Sequence, residues 1–302
     1  MDYLKEHLNA WWLRPEQSVW DARASELAEP FVPQGPSLDL GCGNGLYSFI
    51  AAGGSIGPEH DWFVNARSAG FSRNEDSYDV VPRFDASRHI LRRPRYGFSF
   101  ALDHKPNLLA QAGRLGLYGA LKQGDGNARL PFADGELKTV YSNILYWLKN
   151  PRARLADIGR VLSRGGRAML CLQDPSFKVI CESYQWRAKR SNLLRMLNRG
   201  RAECSYWTAT LAQVTAFAKP AGLRLVHARR YLSPRTLRFW DVGLRPLFPP
   251  ILEMTKRLSP RDRRETKALW VKTALPLMRE MLELERKEGA RGGYHFVVLE
   301  KR

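Results

Sequence analysis

Ser37-Leu38-Asp39-Leu40-Gly41-Cys42-Gly43-Asn44-Gly45 is the stretch that decides the fold of this 302-residue chain. A short apolar run carries an acid, and glycine then recurs at every second position. Leu46 to Ala52 follows with the composition of a helix. A buried strand feeding a sharp glycine turn and then a helix is a unit whose turn a ligand can approach closely. A dinucleotide site asks for G-x-G-x-x-G. Here the third glycine would fall at Leu46, and the pattern is instead G-x-G-x-G. The plain alternative is an ordinary strand-to-helix connection.

Upstream, residues 3–29 read as helix interrupted at Pro15, and Pro30, Pro33, Gly35 and Pro36 make a loop into the strand. Downstream, 53–96 is irregular and too long for a connector, so it reads as an excursion over a ligand site. From Gly97 the alternation becomes regular. Strands are expected at 98–102, 120–123, 137–143 and 167–172, with helices at 107–115 and 155–162, the latter stopped by Gly165-Gly166. Such βα alternation predicts a parallel sheet covered by helices. Residues 176–220 read as mainly helical, 223–228 and 294–299 as strands, and 232–291 as an addition between them. Three segments are therefore expected: 1–36, a helical segment over the ligand cleft; 37–175, the core, with its insertion 53–96; and 176–302, a basic region completing the sheet, with its insertion 232–291.

The net charge of +18 is concentrated at one end. Residues 1–175 hold 21 Lys and Arg against 19 Asp and Glu, and residues 176–302 hold 27 against 11. That asymmetry points to an anionic partner for the second part, or to a solvated basic face. The four cysteines, Cys42, Cys171, Cys181 and Cys204, form no CxxC pair and read as reduced thiols, with no metal site. Residues 1–9 carry both charge signs and no long apolar run, and no 18-residue apolar stretch occurs. A cytoplasmic location is the expectation, with contact at the inner face of a membrane as a further one.

The glycine turn resembles the first motif of the class I S-adenosyl-L-methionine (SAM) dependent methyltransferases, specifically the type 11-like domain. Three more pieces carry the resemblance in the same chain order. Ala101-Leu102-Asp103-His104-Lys105-Pro106 is similar to the second motif, with Asp103 as the ribose acid. The usual gap from turn to acid is about 20 residues; the 53–96 excursion accounts for the longer one here. Asp79 and Asp85 are rival acids inside it, and helix capping by Asp103 is the structural alternative. Gly124-Asp125-Gly126-Asn127 followed by Leu130-Pro131-Phe132 is similar to the adenine motif, with Asp125 on the adenine amino group. Val140 to Trp147 is similar to the segment lining the methionyl end. Many relatives place a histidine near position 146; here it is Tyr146, so no histidine base carries over.

The resemblance implies an α/β Rossmann-like, doubly wound sheet of seven strands in the order 3-2-1-4-5-7-6, with SAM as cofactor. It implies cofactor contacts from Asp39, Gly41, Cys42, Gly43, Asn44, Asp103, His104, Asp125, Gly126, Asn127 and Asn143. The catalytic residue stays open, since His7, His89, His104, Asp174 and His295 are all available as a base. Methyl transfer to a small-molecule, sugar or glycolipid-type acceptor is the expected function. An RNA methyltransferase and a SAM-binding protein without catalysis are the alternatives. The stretch from Leu237 to Leu252, apolar residues among arginines, suits either a lid over the pocket or contact with anionic lipid.

Overall fold

The computed structural model describes residues 1–67 and 82–302. The chain opens with two helices, α1 (Tyr3–Ala10) and α2 (Pro15–Ala28), the second started by Pro15 at its first turn. Strand β1 (Ser37–Leu40) and helix α3 (Leu46–Ala51) flank the glycine turn. The excursion contributes β2 (Ser55–Ile56), α4 (Ala86–His89) and β3 (Ile90–Arg92), with β2 and β3 paired antiparallel outside the main sheet. Asp79 lies outside the described residues.

The regular core follows as β4 (Phe98–Asp103), α5 (Pro106–Arg114), β5 (Tyr118–Gln123), β6 (Leu137–Ser142), α6 (Pro151–Val161) and β7 (Leu162–Gln173). β7 starts five residues earlier than the sequence suggests. Gly165 and Gly166 do not stop the helix. They sit inside the strand, where the register against β6 shifts. Gly166 is needed there because a side chain would run into the Ser163 carbonyl at 2.8 Å.

After β7 come four short helices, α7 (Ser176–Ile180), α8 (Asn192–Asn198), α9 (Arg201–Cys204) and α10 (Leu211–Ala218), then β8 (Leu223–Tyr231). The 232–291 addition holds α11 (Pro234–Arg238), a π-helical turn at Phe239–Leu244, α12 (Phe248–Lys256) and the 29-residue α13 (Pro260–Glu288). β9 (Tyr294–Lys301) closes the chain.

The seven main strands lie in the order β5-β4-β1-β6-β7-β9-β8. Counted along the chain, that is 3-2-1-4-5-7-6. All neighbours are parallel except β9, which runs antiparallel between β7 and β8. The chain winds outward from β1 through β4 and β5, then returns to continue from β6. The crevice at that reversal opens at the carboxyl ends of β1 and β6, where doubly wound sheets bind their ligands.

Both sheet faces are covered. Leu38, Leu40, Val140, Leu170 and Val297 pack under α6 and α10 on one side. Tyr141, Met169, Cys171, Phe296 and Val298 pack under α1, α2, α3 and α13 on the other. β1 is buried along its whole length, so the pleat sends its leucines to the first layer and Asp39 to the second. The addition is tied to the N-terminal helices by Arg279–Asp2 at 2.7 Å and to the excursion by Arg263–Asp61 at 2.6 Å. Leu237, Trp240, Phe248 and Leu252 of the expected lid are buried in that packing and so are not a free apolar surface, while Leu247 stays 47% exposed. Among the described residues no helix is long and apolar enough to cross a membrane.

Candidate functional site

The glycine turn and the end of β4 are joined directly. The Gly43 amide donates to Asp103 Oδ2 at 2.8 Å, and the Lys105 amide donates to Asp103 Oδ1 at 2.9 Å. The Gly41 amide donates to the Leu102 carbonyl at 2.7 Å. Asp103 is buried, and each carboxylate oxygen keeps a further lone pair for a hydroxyl donor. It does not cap α5: Lys105 occupies the N-cap position without a side-chain cap bond. Asp103 instead braces the turn.

The turn is packed behind and open in front. Gly41 has φ +79°, and a side chain there would meet Ile144 Cγ1 at 2.2 Å. At Gly43, φ +55°, a side chain would meet nothing within 4 Å. The open side of the turn is therefore at Gly43, beside Asp103. Asn44 turns to its own helix and accepts from the Leu46 amide at 3.1 Å. The half-buried Cys42 carries its thiol over the Gly43 carbonyl at 3.5 Å, and burial pushes its pKa well up, so it stays protonated.

Asp39 lies beneath the turn. Its Oδ2 accepts from the Tyr118 hydroxyl at 2.7 Å. Burial raises the carboxyl to about 6, against the opposing hydrogen bonds of Ser48 and Tyr118. Asp39 thus supports the turn from the helix layer.

Asp125 follows β5, the neighbour of β4. It is exposed, and its Oδ1 accepts from the Asn127 amide at 2.8 Å and from Asn127 Nδ2 at 3.0 Å. The Asn127 amide holds its carboxyl below the usual range, aided by His104 and Arg154. Asn127 Oδ1 accepts from the Lys149 amide at 2.7 Å, and Arg154 Nη1 donates to the Gly126 carbonyl at 3.0 Å. The loops after β5 and β6 are locked together by these bonds. His104 stands 3.5 Å from Asp103 Oδ1 through its Nδ1 and also contributes to the field at Asp125. Asn143 sits half-buried at the end of β6. Asp85 is exposed and caps α4, accepting from the Ser87 amide at 3.0 Å.

The five candidate bases separate by environment. His7 is fully buried between Ser25 at 3.0 Å and the Tyr47 ring, and burial lowers its pKa to about 3. His295 and Asp174 form a buried pair at 2.8 Å, which Arg230 joins at 3.2 Å from Asp174. His89 belongs to the excursion, its ring tilted against those of His60 and Phe84. His104 alone of the five stands beside the paired glycine turn and Asp103.

One carboxylate escaped the sequence reading. Asp21 on α2 is buried and accepts from Gln17 Nε2 at 2.9 Å. Burial raises its carboxyl to about 7, with Arg14 opposing and Glu16 adding to the rise. Its charge is felt at Tyr47, Tyr146 and Cys171, on α3, after β6 and on β7. No local signal marks it: in sequence it is one acid among several on a helix, and only the packing of α2 against the sheet gives it those neighbours. Among the described residues no group of three His, Cys, Asp or Glu side chains is placed to hold a metal.

Residues 85–170 match a family model described as a methyltransferase domain. The match runs from α4 to within β7 and leaves the glycine turn upstream, beyond the excursion. The chain is also similar to solved structures. One is a chain of the complex between the Haloferax volcanii Trm112 methyltransferase activator and a candidate methyltransferase, 17% identical, covering 94% of this chain and 91% of that one, TM-score 0.49. Another is an S-adenosylmethionine dependent methyltransferase from Mesorhizobium loti, 14% identical, covering 93% and 97%, TM-score 0.47. A third is geranyl diphosphate methyltransferase in complex with SAM, 14% identical, covering 95% and 90%, TM-score 0.46. No curated protein matches the sequence.

With the strand order 3-2-1-4-5-7-6 and the match over 85–170, the chain carries a class I SAM-dependent methyltransferase domain and is an enzyme that uses SAM. The residues fit that cofactor. The turn is open at Gly43, and the braced carboxylate of Asp103 keeps acceptor capacity next to it.

Proposed function

We propose that the enzyme methylates a small-molecule, sugar or lipid-linked acceptor. The observation that carries this reading is the aromatic wall formed at the carboxyl end of β7 and the middle of α2. Trp20 of α2 lies 5.0 Å from Trp240 of the lid and 4.8 Å from Tyr294 of β9, ring centre to ring centre. Phe177 of α7 lies 5.4 Å from Tyr294, and Tyr146 lies 6.1 Å from it. Rings from five separate segments close on one another here; Phe177, Trp240 and Tyr294 are buried, and Trp20 and Tyr146 in front of them keep partial exposure, so in this reading those two meet the acceptor. A compact acceptor can lodge against such a wall, whereas a structured polynucleotide needs an open groove.

In this reading Gly43, Asp103 and Asp125, with His104 and Asn127 beside them, hold the nucleoside end of the cofactor. Bound SAM supplies a methyl group on a sulfonium whose leaving group is neutral, so the protein's task is chiefly to position the acceptor. A hydroxyl or amine acceptor must also lose a proton. Asp21 suits that role: it is buried, near neutrality in its pKa, and within electrostatic reach of Tyr146 beside the wall.

The test is incubation with methyl-labelled SAM and separate lipid, polysaccharide, metabolite and RNA fractions. Label in one of the first three supports the reading. Label in RNA supports the competing nucleic-acid reading, which the basic second half of the chain favours. SAM binding with no label in any fraction would mark a binding protein.

A further inference from the structure

The segment between β7 and α10 leaves the sheet at Gln173 and comes back to the same place, where Thr208 bridges Gln173 in parallel and the Ala209 amide donates to the Gln173 carbonyl at 2.9 Å. Everything from Asp174 to Trp207 is therefore mounted on the carboxyl end of β7. The loop after β6 is laced to it, since the Tyr206 amide donates to the Tyr146 carbonyl at 2.8 Å.

The outer side of this mounted segment combines charge and apolar surface. Residues 187–201 hold six arginines and lysines and no acid. On α8 the inner face is taken: Asn198 is buried against Ser183, and the Leu197 carbonyl accepts from Arg245 at 2.6 Å. Leu193 and Met196, three residues apart on the opposite face, are 59% and 65% exposed. Arg187, Lys189, Arg190, Arg195 and Arg199 around them are all exposed. Arg187 and Lys189 are partly neutralised by Glu203 and Glu182. Arg190 and Arg195 make no ion pair among the described residues. On the adjoining loops Trp147 is 49% and Tyr206 53% exposed, with Lys149 Nζ over the Tyr206 ring at 5.4 Å.

We propose that the face carried by α8, with Leu193 and Met196 among Arg187, Lys189, Arg190 and Arg195, docks the carboxyl edge of the sheet onto an anionic lipid surface. Exposed apolar side chains ringed by cations match a headgroup layer, where the apolar tips insert and the cations meet lipid phosphates. Aromatic residues with one apolar and one wet edge, as Trp147 and Tyr206 are here, belong at the same depth. The docked edge is the one that carries the acceptor wall, so the acceptor class favoured by this geometry is a lipid or lipid-linked molecule. That last step rests on the function proposed above; the docking does not.

The experiment is co-sedimentation of the full chain with vesicles of phosphatidylcholine alone and of phosphatidylcholine with phosphatidylglycerol, across a salt series. Retention on the anionic vesicles only, weakening as salt rises, is the expected result. Arg190→Glu with Arg195→Glu should weaken partitioning by about 25-fold or more, at roughly fivefold per charge lost, and separately Leu193→Ser with Met196→Ser should weaken it by about tenfold or more through lost apolar insertion. Melting temperature and calorimetric SAM affinity should stay at the parent values in both variants. Equal retention on neutral vesicles, no retention, or unchanged partitioning of folded variants would overturn the proposal. Retention on RNA that the same charge variants abolish, without vesicle binding, would overturn it in favour of nucleic acid. Label transfer to a water-soluble metabolite with vesicle binding intact would refute the acceptor class and leave the docking standing.

Discussion

The amide of Gly43 lies 2.8 Å from Oδ2 of Asp103, although the two residues stand sixty positions apart in the chain. The excursion that separates them in sequence is spanned in space by one charge-assisted bond. The turn after β1 and the acid at the end of β4 are therefore held to one another.

That pairing gives the first expectation. Asp103→Ala removes the acceptor for the Gly43 and Lys105 amides as well as for a ribose hydroxyl. A hydrogen bond to a charged group contributes about 1.5–3 kcal/mol, so SAM affinity should fall by ten- to a hundredfold or be lost. Calorimetry settles it, and unchanged SAM affinity in a folded variant would remove Asp103 from the site.

Gly41→Ala and Gly43→Ala should separate packing from ligand approach. Both positions have positive φ, which costs an ordinary residue about 1–2 kcal/mol. At position 41 the added methyl also collides with Ile144, whereas at 43 it enters open space. The first variant should melt markedly lower. The second should melt only slightly lower while losing most of its SAM affinity, because its methyl occupies the open side of the turn. Paired melting and binding curves check both.

Asp21 sets a pH dependence. Its folded carboxyl is raised to about 7 from an ordinary 3.8. The folded chain keeps a proton that the unfolded chain releases across that interval. Stability from this group is thus highest at the acid end, falls as pH rises from about 4 to about 7, and is flat above. The loss is at most on the order of 4 kcal/mol. Asp21→Asn removes it, so the variant should gain stability relative to the parent between pH 5 and pH 8. His7, lowered to about 3, tilts the other way but is present in both proteins and cancels. The same variant should transfer label to the accepting fraction about 10²- to 10⁴-fold more slowly, the usual contribution of a general base, with SAM affinity kept.

Glu285 anchors the lid. It is fully buried on α13, and it accepts from the Leu232 and Ser233 amides at 2.6 and 2.7 Å and from the Thr236 hydroxyl at 2.8 Å. Glu285→Ala leaves two buried amides unpaired and returns the Thr236 hydroxyl to Ser233 Oγ alone, and should cost about 3–5 kcal/mol. Denaturant unfolding gives the number. A cost below 1 kcal/mol would mean that solvent reaches the β8–α11 turn.

Much of the core was open to reading from residue order alone. Strand ends at Leu40, Asp103 and Gln123, the helix break at Pro15, and the succession of βα units follow from side-chain periodicity and from where glycine and proline fall, which are local properties of the backbone. The strand order came with the resemblance that those motifs carry. Gly165 and Gly166 misled because a glycine pair marks a bulge inside a strand as readily as a helix stop, and only pairing with β6 distinguishes them.

Other features were settled only by the folded chain. Leu237, Trp240 and Leu252 read as lid first and lipid contact second, and their burial among α2 and α13 removes them from the lipid reading, while Leu193 and Met196 stand out only once α8 turns its other face inward. Asp39, in the middle of the most telling motif, finds its partner in Tyr118, seventy-nine positions away. Asp21 became a candidate base only through neighbours drawn from three distant segments. The sequence by itself determined which residues end strands and make the turn, because backbone preference acts over a few positions. Tertiary structure alone decided which carboxylates face each other, which are desolvated and which apolar faces stay bare, because burial and charge coupling depend on distance in space.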